Sequence, residues 1–436
     1  MASSCLQVQL VCLSASLVIA SAERPVALSS PDAATPPTSA LSADDAVVSA
    51  DSADSRDGRQ KRQLELIPTL LELLFFTPAT SDREGQEQRD AYVESDDTGR
   101  QRFLSYVETQ HEVSLVFEEQ LLHKFPVDAL EVEPVRWKAL QVASAGPGAF
   151  LSQLAVLTQL TTELARHKLS VFQISTYQSD YGKHTNNCGL AFQRQRTLTL
   201  RCVCAVHVVL VKVEDLEMAI ACLQSFCSIE MESGEELHAV LNSNVEQSEG
   251  EADIEAPEVE ADEQQEADLA VHQHLLSVPD VELHLVQLDR TFVRRHMYSL
   301  VQLLFGHRDD GEASTSTSTA HFLSYSETGD DISVVTSDKR FLDEAQTLAA
   351  HGDERVLVSP DFWRPVQIGS AKLGFSETGI VAGQTRVLVN AGTTVFYLST
   401  YATDFMLIKE DEWADALPIL RSHFRVIEGS FAPLTE

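Results

Sequence analysis

The feature that most constrains the fold of this chain is an internal duplication. The segment RFLSYVET at Arg102–Thr109 recurs as HFLSYSET at His321–Thr328, and each copy follows a leucine-rich apolar run. A second pair of similar segments has as its matched residues Trp137, Gln141, Ser144, Ala145, Ser175, Thr176, Tyr177 and Asp180 in one copy and Trp363, Gln367, Ser370, Ala371, Ser399, Thr400, Tyr401 and Asp404 in the other. Because the two pairs alternate along the chain, the sequence predicts a tandem duplication of a two-module unit in the order A-B-A′-B′.

The second module shows most clearly which elements a module contains. An apolar strand from 136 to 144 precedes a helix-like spacing of Leu154, Leu157 and Leu164, and a strand, a second helix and a last strand follow up to residue 232. This βαββαβ order is typical of a ferredoxin-like plait, so we predict an α+β protein of four such modules. The predicted bounds are 1–130 with a disordered insertion at 22–58, 131–233 with an atypical insertion at 182–208, an acidic disordered linker at 234–280, then 281–356 and 357–436.

Composition excludes several classes of protein. A chain of 436 residues with 44% hydrophobic residues can bury sizeable cores, whereas a formal net charge of -34 argues against a nucleic-acid partner. No stretch reaches the roughly 20 apolar residues of a membrane span, so no membrane segment is predicted. The seven cysteines all precede the acidic linker and are odd in number, which favours a reducing compartment over a disulfide framework.

The N-terminal segment allows two interpretations. Leu6–Leu13 alternates apolar and polar residues as Val281–Leu288 does, which predicts a strand in the corresponding place of module 1. The alternative is a secretory signal in residues 1–22, because Ala20-Ser21-Ala22 resembles a signal-peptidase site. No Lys or Arg precedes Arg24, and a signal usually opens with one, so we favour the strand and a cytoplasmic protein.

The atypical insertion at 182–208 contains basic residues and no acidic one, unlike the rest of the chain. Without it the second module would match the fourth, so it is either a loop insertion or translated non-coding sequence. A zinc site here would have to use His184, Cys188, Cys202, Cys204 and His207. This spacing lacks the usual pair of C-x2-C motifs, so no metal is predicted.

A glycine-bearing loop in the fourth module indicates a ligand pocket. Gly369, Gly374 and Gly379 fall between two apolar strands, where the backbone turns tightly or approaches a ligand. The loop carries Glu377, and Asp404 follows the second strand. Loop amides and two carboxylates together are suited to a small zwitterion with a cationic group. A lone acid in a loop is more often only solvated.

The segments LGFSETGIVA, YLSTYATDF and LSVFQISTYQSDY resemble those of the CASTOR family, the cytosolic arginine sensors of the TOR pathway, which are built from four ACT modules. The resemblance covers nearly all the chain outside 22–58, 182–208 and 234–280. It implies that arginine binds between modules 2 and 4. It also implies that the ligand-free protein binds and inhibits a GATOR complex, that arginine releases it, and that the protein dimerises through modules 1 and 3.

The resemblance assigns roles residue by residue. The implied ligand-binding residues are Ser170, Val171, Gly374, Phe375, Glu377, Thr378, Gly379, Ile380, Thr400, Tyr401, Thr403 and Asp404. The implied partner-binding residues are Tyr177, Gln178 and Asp180. The family has cysteine in place of Thr378 and an aromatic residue in place of Thr403, so we expect a more polar pocket.

Three classes of function follow. The favoured one is a regulatory amino-acid sensor for arginine or another cationic amino acid, without a cofactor. The second is a ligand-free interaction scaffold, which amino acids would not stabilise. The third is a detached regulatory subunit of a biosynthetic enzyme such as aspartate kinase. The sequence shows no nucleophile-base pair, metal spacing or phosphate-binding loop, so catalysis is not predicted.

Overall fold

The computed structural model describes residues 8–22, 66–76, 102–144, 152–179, 203–232, 274–306, 321–329, 331–353, 355–389 and 391–433. The strands in these ranges are β1 (Val8–Cys12), β2 (Leu17–Ala22), β3 (Phe103–Thr109), β4 (Val113–Glu118), β5 (Glu131–Val132), β6 (Trp137–Ser144), β7 (Val171–Ser179), β8 (Val203–Lys212), β9 (Cys227–Met231), β10 (Leu276–Pro279), β11 (His284–Asp289), β12 (Phe322–Thr328), β13 (Asp331–Thr336), β14 (Val356–Val358), β15 (Trp363–Ile368), β16 (Val395–Ser399), β17 (Asp404–Lys409) and β18 (Val426–Gly429).

The helices in the same ranges are α1 (66–76, ending in a π turn at Glu72–Phe76), α2 (Ser152–Arg166), α3 (Leu216–Leu223), α4 (Arg290–Arg295), α5 (Met297–Phe305), α6 (Lys339–Ala350), α7 (Ile380–Val389) and α8 (Glu410–His423). Short 3-10 turns occur at Glu119–Lys124 and Val213–Asp215. None of the helices in the described part of the chain has the length and apolar character needed to cross a bilayer.

One sheet has ten strands and combines modules 2 and 4. Its order is β9-β1-β6-β8-β7-β16-β17-β15-β10-β18. At the central seam the Ser399 hydroxyl accepts a hydrogen bond from Gln173 N at 3.0 Å, and the Ser175 hydroxyl accepts one from Tyr397 N at 3.0 Å. The reciprocity of these contacts reflects the duplication, because each half supplies the same serine to the other.

A second sheet has eight strands and combines modules 1 and 3. Its order is β5-β2-β4-β3-β12-β13-β11-β14. The seam between β3 and β12 is antiparallel and places Tyr106 opposite Tyr325. Ser105 and Ser326 share a hydrogen bond of 3.0 Å across it. The repeated segments of the sequence thus pair with each other.

The two sheets pack face to face between outer layers of helices. The central core contains Trp137, Phe172, Phe322, Trp363 and Phe405 from both sheets. Helices α2, α3, α7 and α8 cover the outer face of the ten-stranded sheet, and α1 and α4 to α6 cover that of the other. Because many strands are apolar on both faces, a layered arrangement buries surface that a single open sheet would leave in water.

The structure corrects the predicted place of the first strand. Within the predicted range Leu6–Leu13, Val8–Cys12 forms the strand β1, but it pairs with β6 and β9 of module 2. Its counterpart is β10, which pairs with β15 and β18 and lies inside the predicted linker 234–280. The predicted match to Val281–Leu288 was wrong, because an alternating pattern identifies a strand and not the sheet that it joins.

The predicted bound between modules 1 and 2 also changes, because strand pairing and not sequence order assigns a strand to a module. β5 lies in the range assigned to module 2 but pairs with β2 of module 1. Residues 8–22 supply both β1 and β2, whose side chains are largely buried, so they are integral to the two sheets. This supports the strand interpretation of the N-terminal segment over the signal. The four-module partition stands as a proposal with β1 and β10 assigned to modules 2 and 4.

The predicted insertion 182–208 also ends too late. β8 begins at Val203 and continues in register with β7, so residues 203–208 belong to the sheet. In this register His207 lies opposite Ser175, as Asp404 lies opposite Ser399. The structural counterpart of Asp404 is therefore His207. The predicted counterpart was Asp180, which residue identity alone had favoured. Asp180 and the rest of the insertion lie outside the described residues.

Candidate functional site

A partly open cavity lies where the start of β7 meets the glycine loop before α7 and the end of β16. The space within it, counted out to its mouth, is about 430 Å³. It is lined by Val171, Phe172, Leu373, Gly374, Phe375, Glu377, Gly379, Ile380, Val381, Ser399, Thr400, Tyr401 and Asp404. Two of these residues come from module 2 and the others from module 4, so the cavity is at the seam of the ten-stranded sheet.

The glycine loop is shaped by two residues with positive φ. Gly369 has a φ of 91° and Gly379 a φ of 80°, in the left-handed region that glycine enters without steric cost. A Cβ on Gly369 would also come within 3.3 Å of Leu373 Cδ2. The amide of Leu373 donates to Ala402 O at 2.8 Å. The loop is thereby attached to the turn at 400–403, which forms the opposite wall.

Asp404 lies at the inner end of the cavity. It is 7% exposed, and its Oδ2 accepts a hydrogen bond of 2.8 Å from the Tyr397 hydroxyl. Burial raises the pKa of Asp404 to about 6, while hydrogen bonds from Tyr397 and Ser399 oppose the shift and the charge of Glu377 adds to it. A cation bound beside Asp404 would favour the ionised form of this carboxylate, because the opposite charge offsets the cost of burying it.

Glu377 lies nearer the mouth of the cavity. Its Oε1 accepts a hydrogen bond from Gly374 N at 3.2 Å, and its Oε2 lies 3.7 Å from His274 Nε2. The sequence prediction did not include His274. It precedes β10 within residues that composition assigned to a linker, and no motif around it indicates a contact with the loop.

An aromatic cluster supports the base of the loop. Phe375 lies with its ring centroid 6.0 Å from Trp137, 6.4 Å from Phe172 and 5.1 Å from Tyr401. Lys372 Nζ lies 4.3 Å from the centroid of the Tyr401 ring. These contacts connect the loop to the core between the two sheets, so a displacement of the loop would disturb buried packing.

The structure brings together nine of the twelve predicted ligand-binding residues around the cavity, all except Ser170, Thr378 and Thr403. Ser170 is buried beside Val171, and Thr378 lies in the loop without lining the space. Thr403 is buried, and its hydroxyl donates to Ile368 O. The expected gain in polarity at Thr403 is therefore wrong, because its hydroxyl is used inside the protein.

Of the three predicted partner-binding residues, Tyr177 is the one whose side chain the structure describes, and it does not present an open surface. Tyr177 is 5% exposed, and its side chain belongs to the core between the sheets. Its amide donates to the Ser333 hydroxyl at 2.9 Å, and burial raises the pKa of its phenol to about 12. The side chain of Gln178 and all of Asp180 lie outside the described residues. Recognition through Tyr177 would require this part of β7 to rearrange.

No cluster of three or more His, Cys, Asp or Glu suited to a metal is found among the residues that the structure describes. Of the weak zinc candidates, His207 is buried in β8 with its Nδ1 2.9 Å from Ser175 Oγ. Burial lowers the pKa of His207 to about 4, so the imidazole is neutral at physiological pH. Its position is explained by the sheet contacts. Of the remaining zinc candidates, Cys204 lies in β8 with its side chain outside the described residues, and the others lie wholly outside them.

The fold is that of an α+β protein built from tandem ACT-type modules. The ACT domain family matches residues 358–422, which include the glycine loop and the 400–403 turn. The sequence is also similar to those of proteins named as cytosolic arginine sensors. It is 26% identical over 336 residues to the cytosolic arginine sensor for mTORC1 subunit 1 of Pongo abelii and to the protein of that name from Homo sapiens, across 74% of this chain and 86% of each relative.

Among solved structures, an aspartate kinase from Synechocystis matches 97% of this chain and 57% of its own at 9% identity, with a TM-score of 0.26. A score this low carries no argument about fold or function. The assignment rests on the ACT match and on the relatives named as arginine sensors.

Proposed function

We propose that this chain is an arginine-sensing ACT protein of TOR signalling that binds its ligand at the seam of modules 2 and 4. The observation that carries the proposal is the cavity that joins Val171 of module 2 to Glu377 and Asp404 of module 4. Relatives named as cytosolic arginine sensors support the choice of ligand. The function is regulatory, without catalysis or a cofactor.

The charges around the cavity fit arginine. Free arginine carries a guanidinium, an ammonium and a carboxylate at neutral pH. Glu377 and Asp404 supply two carboxylates to the positive groups, and carboxylate-guanidinium hydrogen bonds are among the strongest in proteins. The amides of the loop before α7 offer donors to the ligand's carboxylate. A neutral amino acid would leave one of the two acids without a countercharge.

Amino-acid specificity can be tested by thermal shift with a panel of common amino acids. At one hundred times its dissociation constant, a true ligand stabilises the protein by about 2.7 kcal/mol. We expect arginine to give the largest shift and Asp404→Ala to abolish it. Asp415→Ala, which removes an exposed carboxylate from α8, is the matched control and should retain the shift. An undiminished shift in Asp404→Ala would place the ligand elsewhere.

The wider role is proposed by analogy with the family. The protein is cytoplasmic, forms a homodimer through modules 1 and 3, and in its ligand-free state binds a GATOR-like complex through Tyr177, Gln178 and Asp180. The buried position of Tyr177 supports a mechanism in which recognition depends on the conformation of β7. Binding of the purified complex should fall on addition of arginine and should be lost in Tyr177→Ala. Equal binding by that variant would exclude this surface.

A further inference from the structure

The turn that forms one wall of the cavity is held by a residue of module 1. Glu112 lies at the tip of the β3–β4 hairpin and is only 6% exposed. Its Oε1 accepts hydrogen bonds from Thr400 Oγ1 and from Ala402 N, both at 2.9 Å. Its Oε2 accepts one from Ser21 Oγ at 2.9 Å. Glu112 and Thr400 are far apart in the chain, so this contact exists only in the assembled fold.

These hydrogen bonds bear directly on the cavity. Thr400 and Tyr401 line it, and the amide of Ala402 is one of the groups that Glu112 binds. The carbonyl of the same Ala402 accepts from Leu373 N in the glycine loop. Both walls of the cavity are thus connected to Glu112. The turn is bound to it directly, and the glycine loop is connected to it through Ala402.

The duplication provides an internal comparison. In module 3 the residue equivalent to Glu112 is Asp331, as the aligned hairpin registers show. Asp331 Oδ1 accepts from Gln287 Nε2 of its own module at 2.7 Å. The neighbouring serines behave alike in the two halves, since Ser114 accepts from Tyr401 N and Ser333 from Tyr177 N, each at 2.9 Å. The carboxylate contact to a cavity wall is described for Glu112, and Asp331 is the matched position for a control variant.

We propose that Glu112 is a positioning residue for the ligand site, so that modules 1, 2 and 4 together complete the pocket. The proposal rests on the proposed function for the identity of the ligand. Glu112 holds Thr400 and Ala402 in the conformation that shapes the wall and anchors the loop. Ligand binding in turn stabilises the contact between module 4 and the module 1 hairpin, because binding and conformation are linked reciprocally.

The test compares Glu112→Ala, Glu112→Gln and Asp331→Ala in the full chain. Arginine affinity is measured by calorimetry, and hydrogen exchange is measured at the amides of Tyr401 and Ala402 without ligand. We expect Glu112→Ala to weaken arginine binding at least about tenfold, the effect of losing one good hydrogen bond to a charged group. Glu112→Gln, which keeps the shape and one acceptor, should recover part of the affinity. Asp331→Ala should bind arginine as the unmodified protein does.

The exchange measurement separates this proposal from the proposed function. If the unmodified protein does not bind arginine, the ligand assignment fails, while faster exchange at Ala402 in Glu112→Ala still supports the positioning role. Unchanged exchange at Ala402 in Glu112→Ala, or equal arginine affinities for Glu112→Ala and Asp331→Ala, would overturn it. If Glu112→Ala does not fold, the affinity of Glu112→Gln decides, because arginine binding as tight as in the unmodified protein would overturn the proposal.

Discussion

The fourth and second modules place chemically opposite groups at equivalent positions of the same fold. Asp404 in β17 lies opposite Ser399, and His207 in β8 lies opposite Ser175, the matched serine of the other copy. Burial raises the pKa of Asp404 to about 6 and lowers that of His207 to about 4. Asp404 borders a cavity, whereas His207 packs beside Ser175 within the sheet. The two copies share the strand framework and differ in the charge of the side chain at this position.

The largest expected effect on stability comes from placing aspartate at position 207, the equivalent of Asp404. His207→Asp would bury a carboxylate where the structure has a neutral imidazole beside Ser175. We expect a loss of about 4 kcal/mol in the free energy of unfolding, because an uncompensated buried charge is among the costliest single changes. Urea unfolding measures it, with His207→Gln as the neutral control. An unchanged midpoint for His207→Asp would show that this position can accommodate a charge.

A smaller effect is the pH dependence of stability, which differs in sign between Asp404 and His207. The folded-state pKa of Asp404 is raised, so its contribution favours folding at low pH and is lost as the pH rises from about 4 to about 6. The shift corresponds to about 3 kcal/mol. Asp404→Asn should remove this dependence and become relatively more stable toward pH 7, as followed by urea unfolding from pH 4 to 7. A parallel pH profile in both proteins would contradict it. Arginine affinity should rise over the same window.

His207 should show the opposite dependence. Its folded-state pKa is lowered, so the stability linked to neutral imidazole is present above about 6.5 and is lost as the pH falls toward about 4. This shift also corresponds to about 3 kcal/mol. In His207→Gln the decline in stability on acidification should be correspondingly smaller. NMR titration of the imidazole checks the cause, and an ordinary pKa for His207 would refute it.

The smallest effect concerns the serines that the two halves share. Ser114→Ala and Ser333→Ala each leave one buried amide, of Tyr401 or Tyr177, without its acceptor. We expect similar losses of about 1 kcal/mol in unfolding free energy. Only Ser114→Ala should also weaken arginine binding, because Tyr401 lines the cavity. Equal affinities for the two variants would show that the turn tolerates the loss.

Much of the architecture was accessible from local patterns. The repeated segments indicated the duplication, and the order of apolar helices and strands indicated ferredoxin-like modules. The family resemblance implied that these are ACT modules, which the domain match confirms at 358–422. The glycines and the acids of the fourth module pointed to the residues that line the cavity. These features could be predicted because they depend on spacing and on backbone conformations that glycine favours.

Other parts of the site could not be predicted in this way. Glu112 and His274 carry no motif, and each acquires its place from strands or loops distant in sequence. Thr403 was predicted to line the pocket, but its hydroxyl donates a hydrogen bond to the carbonyl of Ile368 inside the protein. The sheet that β1 joins was also undetermined, because a strand pattern specifies which faces are apolar and not which partner supplies the hydrogen bonds.

By itself, the sequence of this protein indicated a duplicated α+β arrangement of modules and, through its resemblance to a known family, the residues of a candidate ligand site. The tertiary structure alone decided that modules 2 and 4 share one sheet, that a cavity opens at their seam, and that a carboxylate of module 1 holds its wall. The reason is physical. Local composition specifies strands, helices and turns, whereas burial, pKa and hydrogen-bond partners arise only when segments far apart in the chain are packed together.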